Sequence, residues 1–306
     1  MHPAAVALPA RRPLFAAFSL PLMVAVFLML WSSAFSVAKL AIADCPPLLL
    51  LAARFLIAGV LMFGIAAVSR VRWTLGRRDI LLFALLGIAN QAIYLGVGYV
   101  ALRDISAGLS VLIFSANPIV TAVFAALVLG ERMTWAKAIG LVLGIAGVAF
   151  IVQSRLSIGS DHLRGILLTV VSLLSFVGGT ILFKRYAPKD GLWIGNGVQS
   201  LAAGIALLPF SLATESIGDI VPTWRLLACF AFLVLLVSVF AYLLWFKILT
   251  VSGATAASSY YFLLPPLGML FGWLLLGEHV ALSDLIGIIP VVLGIYLVTR
   301  PGPART

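Results

Sequence analysis

Apolar runs of about 20 residues or more follow one another along the chain, each closed by a short charged or turn-forming cluster. A hydrocarbon core about 30 Å thick is crossed by about 20 helical residues, so 306 residues hold about ten spans with their loops. Reading from break to break places spans at 19–42, 46–69, 79–102, 105–130, 134–152, 163–186, 191–213, 224–249, 252–277 and 281–299. Each must be a helix, because a lone strand in lipid leaves its backbone polar groups unpaired. The runs are also too long and continuous for barrel strands.

Composition removes the alternatives. Hydrophobic residues make up 63% and charged residues 10%, against about 45–50% and about 25% in soluble domains. The net charge of +10 comes from basic residues that mark cytoplasmic loops, so no nucleic-acid partner is implied. Cys45 and Cys229 provide neither a disulfide framework nor metal-ligand spacing. The run from Phe15 to Ile42, after Arg11-Arg12, is far longer than the 7–15 apolar residues of a signal peptide and reads as a retained first span. His-Glu-x-x-His, Gly-x-Ser-x-Gly and P-loop patterns are missing. The expectation is a membrane protein that is not an enzyme, needs no cofactor or metal, and handles a small-molecule substrate within the lipid bilayer.

Charge sets the orientation. With the N-terminus in the cytoplasm, 14 basic residues lie inside, among them Arg70, Arg72, Arg77, Arg78, Lys184, Arg185 and Lys189. Five lie outside: Lys39, Arg103, Arg155, Arg164 and Arg225. The acids run the other way, with Asp44, Asp104, Asp161, Glu215, Asp219, Glu278 and Asp284 outside. The loops are short, so the positive-inside rule predicts both tails, 1–18 and 300–306, in the cytoplasm.

The chain also repeats itself. Pro118, Gly130-Glu131, Ala107, Ile139, Gly140 and Gly147 reappear as Pro265, Gly277-Glu278, Ala254, Ile286, Gly287 and Gly294, always 147 positions later. Lys39 matches Lys184 at 145, and Arg54 falls opposite Gln199 where the match is weak. Residues 19–152 and 163–299 are therefore two halves of five spans each. Five is odd, so the halves enter the membrane from opposite sides, and such inverted repeats hold substrate near the midplane and work by alternating access. The predicted fold is an all-α bundle of ten transmembrane helices in two inverted five-helix repeats.

Pro–(11 residues)–Gly–Glu at the end of span 4 and span 9, Trp31-Ser32-Ser33 with Lys39, Pro46-Pro47-Leu48 before Arg54-Phe55, and Ser106-Ala107-Gly108 resemble the EamA-like exporters of the drug/metabolite transporter superfamily. The resemblance covers nearly the whole chain. It implies outward movement of small metabolites, most often amino acids or their derivatives, across the inner (plasma) membrane. Sugars, nucleosides or drugs are the alternative cargo on the same fold.

Ionisable groups at depth are functional candidates. Arg54 lies eight residues into span 2, about 10–12 Å deep at 1.5 Å per residue. It reads either as a clamp for a substrate carboxylate or as a structural arginine bonded to helix ends or Asp44. Glu131 and Glu278, related by the repeat, read as gate groups on opposite faces or as acids at helix termini. Spans carry no mid-depth Asp or Glu, so exchange or facilitated export is expected over proton-driven export. Pro118 and Pro265 interrupt the helical ladder and read as hinges or fixed kinks. Trp31, Ser32, Asn90, Tyr94, Phe114, Ser238, Tyr242, Trp245 and Tyr261 read as the wall of an aromatic cavity with polar anchors, or as helix packing and interfacial belt. Gly140-x-x-x-Gly144 reads as internal packing rather than a dimer face. A monomer is expected, with a dimer still possible.

Overall fold

In lipid the backbone must pair within the chain, and helices alone do this strand-free. The computed structural model describes residues 19–130, 134–158, 162–188, 190–245, 247, 248, 251 and 260–299, and every regular element among them is helical. In chain order these are α1 (Leu20–Ala41), α2 (Pro47–Val68), α3 (Arg77–Ala101), α4 (Ala107–Leu129), α5 (Trp135–Ile158), α6 (Leu163–Tyr186), α7 (Leu192–Thr214), α8 (Trp224–Trp245), α9 (Leu264–Leu276) and α10 (Leu282–Thr299). Eight of the described helices are long and apolar enough to cross a membrane, and α9 and α10 are shorter apolar helices. Helix α5 runs on to Ile158, past the predicted end at 152, because nothing between them breaks helical geometry. The tails, Glu131 and the side chain of Tyr261 lie outside the described residues.

Two helices that the sequence presents as continuous are not α-helical throughout. Helix α3 widens into a π-helix over Ile88–Ile93, and α8 does so over Phe232–Ala241. A π-turn bonds i to i+5 and disturbs the regular carbonyl ladder. Two hydroxyls of α6 serve carbonyls in that region of α3: Ser175 donates to Ala89 O at 2.9 Å, and Ser172 to Tyr94 O. Helix α4 breaks at Ala116, and Pro118 then occupies the first turn of its second segment, where a missing N–H costs nothing. A 3₁₀ turn at Tyr260–Leu263 precedes α9, with Pro265 again in the first turn. Pro118 and Pro265 therefore each open a helical segment rather than bending the middle of one, whereas Pro209 and Pro290 lie inside α7 and α10. Gly130 and Gly277 close α4 and α9 at φ 67° and 65°, a left-handed conformation open to glycine.

Two helix pairs hold the bundle. Helix α2 runs along α7, where an added Cβ on Gly59 or Gly204 would fall within 2.7 Å of Leu201 or Leu56. Helix α5 runs along α10 at backbone contact: a Cβ on Gly140 would meet Gly294 O at 2.6 Å, and one on Gly147 would meet Gly287 O at 2.7 Å. Small residues permit this approach where lipid gives no hydrophobic drive for association. The Gly140-x-x-x-Gly144 face is thus internal packing.

The bundle has chemically distinct ends. Arg70, Arg72, Arg77 and Arg78 are exposed at one, the basic end. Asp44, Asp104, Glu215 and Glu278 gather at the other, the acidic end.

Candidate functional site

Helices α1, α2, α3, α4, α6, α7 and α8 surround a cavity with two compartments. Trp31, Phe176 and Tyr242 line both and form the waist between them. The compartment toward the acidic end has a cavity volume of about 50 Å³, and the one toward the basic end about 170 Å³. The smaller volume accommodates a few water-sized groups.

Two aromatic clusters flank the passage. Trp31 meets Tyr242 edge-on at 5.7 Å, and Phe27 stacks between Trp31 and Trp245 at 5.5 and 5.1 Å. Tyr94 stacks on Phe114 at 4.6 Å, with Phe176 against both. Tyr94 and Tyr242 each sit at the C-terminal boundary of a π-segment.

Arg54 lies in the smaller compartment with 4% exposure. Its Nε donates to Ser238 Oγ at 2.9 Å and its Nη1 to Tyr99 Oη at 2.6 Å, and its guanidinium lies 5.4 Å from the Phe55 ring centre. Both hydrogen bonds end on neutral oxygens. Among the described residues no carboxylate pairs with Arg54. Asp44, the acid the sequence offers nearest to it, is taken by Arg225 and Thr223. A buried cation in low dielectric is costly unless an anion joins it.

The larger compartment is lined by carboxamides. Asn196 accepts from Gln91 Nε2 at 3.3 Å. Asn90 Oδ1 is buried without a hydrogen-bond partner among the described residues, and so is Gln91 Oε1. Asn90 rests on Gly179, where an added Cβ would fall 1.8 Å from Asn90 Oδ1.

The structure thus brings Trp31, Tyr94, Phe114, Tyr242 and Arg54 to the smaller compartment, and Asn90 and Trp245 to the larger. Ser238 takes part through Arg54. Ser32 is fully buried and lines neither compartment, because adjacent helical residues point about 100° apart and Trp31 holds the cavity-facing position. Asn90 and Tyr94, four residues apart on α3, serve different compartments because that spacing separates them along the axis. Sequence reasoning passed over Tyr99, Phe176, Asn196 and Gln199. The signal for Gln199 was its place opposite Arg54 in the repeat.

Glu278 lies away from the cavity, in a knot at the acidic end. Its carboxylate accepts from Ala107 N at 2.6 Å and Gly108 N at 2.9 Å, capping the positive N-terminus of α4, and pairs with Lys39 at 3.4 Å. Lys39 also donates to Ile105 O. Glu215 caps α2 in the same manner, through Leu48 N at 3.1 Å and Leu49 N at 2.8 Å. Asp44 accepts from Arg225 Nε at 2.8 Å and Thr223 Oγ1 at 2.6 Å, and these bonds, the arginine's first, hold its carboxyl below the usual value of 3.8. Cys45 and Cys229 are free and buried, and burial, with Glu215 nearby, pushes the Cys45 thiol up to about 11.

The EamA-like transporter family matches residues 19–153 and again residues 163–300. The chain belongs to the EamA-like transporter family. Membership in this family, with its apolar helices, makes it a multi-pass membrane protein of the transporter class. The uncharacterized transporter YvbV of Bacillus subtilis is 30% identical over 285 residues, covering 93% of this chain and 92% of YvbV. An S-adenosylmethionine/S-adenosylhomocysteine transporter of Chlamydia muridarum is 28% identical over 282 residues, 88% of each chain. A solved crystal structure aligns with a TM-score of 0.66 over 91% of this chain and 95% of its own, and at 18% identity shows a shared fold alone.

Proposed function

We propose that this EamA-family protein is a secondary transporter that exports small carboxylate-bearing metabolites, amino acids or their derivatives, by alternating access. The observation that carries the reading is Arg54: a buried guanidinium beside an aromatic cavity, hydrogen-bonded to Ser238 and Tyr99, with no acid partner among the described residues. A carboxylate matches the planar fork of a guanidinium and supplies the missing charge. Relatives named as S-adenosylmethionine/S-adenosylhomocysteine transporters support the class, since both of those compounds are amino-acid derivatives.

The proposal includes the architecture. The halves 19–152 and 163–299 are inverted repeats, together ten spans, in the inner membrane, with both tails in the cytoplasm and the basic end facing it. Helix-opening prolines at Pro118 and Pro265, and left-handed caps at Gly130 and Gly277, stand 147 residues apart and support the pairing. Halves of this kind rock about α4 and α9, with Pro118 and Pro265 as hinges and Glu278, with its counterpart Glu131, as gate groups. The protein acts as a monomer without a cofactor. Acids among the described residues sit at helix ends or in loops, which favours exchange over proton coupling.

Counterflow in proteoliposomes tests the function. Liposomes preloaded with each amino acid, and with S-adenosylmethionine, should accelerate uptake of the labelled compound for at least one of them, with the proton gradient collapsed. Saturable flux of sugars, nucleosides or drugs alone would overturn the amino-acid reading. Flux that disappears with the gradient would overturn exchange.

A further inference from the structure

Resting on the transport reading above, we infer that substrate lies along the passage in one orientation, carboxylate toward the acidic end, and that the larger compartment is a separate subsite for a planar side chain bearing hydrogen-bond donors. The position of the Arg54 guanidinium sets the direction, and the room in each compartment agrees with it. The compartment holding Arg54 has a volume of about 50 Å³, enough for a carboxylate-sized end, whereas the compartment beyond the waist has about 170 Å³.

Chemistry fixes the side-chain class. Asn90 and Gln199 line the larger compartment, and Asn90 Oδ1 is buried without a hydrogen-bond partner among the described residues. A buried amide oxygen without a partner in low dielectric is costly to the fold. A ligand edge that donates and accepts in one plane relieves this cost. The waist of Trp31, Phe176 and Tyr242 offers ring faces and edges to a flat group. Gln199 is also the repeat counterpart of Arg54. Equivalent positions of the two halves thus carry a cation in one compartment and a neutral amide in the other. The repeat that shapes both compartments has made one selective for charge and the other for neutral hydrogen bonding.

Calorimetric binding to the purified full-length protein tests this with L-tryptophan, tryptamine and 2-naphthyl-L-alanine. Tryptamine lacks the carboxylate, and naphthylalanine keeps the flat bulk but lacks the ring N–H. Tryptophan should bind at least about tenfold more tightly than either analogue. Arg54→Gln should abolish the tryptophan–tryptamine gap and keep the tryptophan–naphthylalanine gap. Gln199→Leu should do the reverse. Gly179→Ala, which displaces Asn90 from outside the cavity wall, should narrow the naphthylalanine gap as Gln199→Leu does, so the inference does not depend on one variant folding. Equal weakening of all three ligands by either cavity variant would overturn the assignment. So would no binding of any of them while counterflow of other amino acids persists, an outcome that leaves the transport reading standing.

Discussion

The acidic end and the middle of this bundle treat charge in opposite ways. At the acidic end, three acids are matched by hydrogen bonds, Asp44 with Arg225 and Thr223, Glu215 with two N–H groups of α2, and Glu278 with Lys39 and the start of α4, while Asp104 has the exposed Arg164 at 3.7 Å and its Oδ2 has no hydrogen-bond partner among the described residues. Most of these ties join elements far apart in the chain, Glu278 to Ala107 across 171 residues. In the middle, Arg54 is held by neutral oxygens, and the carboxamide oxygens of Asn90 and Gln91 have no partner among the described residues. Matched charge locks helix ends together. Unmatched charge at depth costs stability, and a bound ligand can recover that cost. On the proposed transport function, the difference separates groups that hold the fold from groups that await a substrate.

Substitutions on the two sides of this contrast should therefore fail differently. The largest effect is expected from Arg54→Gln. It should lower counterflow of carboxylate-bearing substrates by about tenfold to a hundredfold, since a charge-assisted hydrogen bond contributes about 1.5–3 kcal/mol. Its thermal midpoint should hold or rise, because a buried charge has been removed. A fall in midpoint with equal loss of flux for neutral substrates would place Arg54 with the structural charges.

Glu278→Gln should show the converse. Losing the charged cap of α4 and the Lys39 pair is expected to cost about 1–2 kcal/mol of stability, read as a lower thermal midpoint in detergent. Opening at the acidic end should become easier, and Cys45 reports it. At 7% exposure, with its thiol at about 11, Cys45 should react slowly with an impermeant maleimide at neutral pH in a Cys229→Ser background. The Glu278→Gln change should raise that rate severalfold. Labelling only from the cytoplasmic side would reverse the proposed orientation.

The smallest effect concerns pH. Asp44 has a folded value below its unfolded 3.8, so the stability it provides is present above about pH 4 and is lost as pH falls through the folded value. The difference in thermal midpoint between the parent protein and Asp44→Asn should stay flat from pH 7 to 5 and shrink below pH 4. A difference that grows on acidification would show the pair contributes nothing.

Much of this was legible in the sequence, for a physical reason. Lipid demands long apolar helices, so the spans read directly from hydropathy, and flat rings near mid-span read as a cavity wall, as with Trp31, Tyr94, Phe114 and Tyr242. What escaped depends on rotation and register. Ser32 and Trp31 are neighbours in sequence, and only packing decides which faces inward. The π-segments have no residue signature, and the prolines gave no hint that they begin segments rather than bend them. The carboxamides of Asn196 and Gln199 were hidden because a polar residue near a helix end is ordinarily wetted by the interface, and only the fold turns it inward.

The π-segments in α3 and α8 have a consequence for motion. A π-turn is one surplus residue stored in a helix. Passing it one step along the helix exchanges one backbone hydrogen bond for another, so the net count is unchanged. Any side chain it passes turns about the axis by about 100°, the angle of one residue in an α-helix. Tyr94 and Tyr242 stand at the ends of the two stored residues. A travelling dislocation could swing either ring across the passage while the helix ends, anchored at the acidic side, stay where they are.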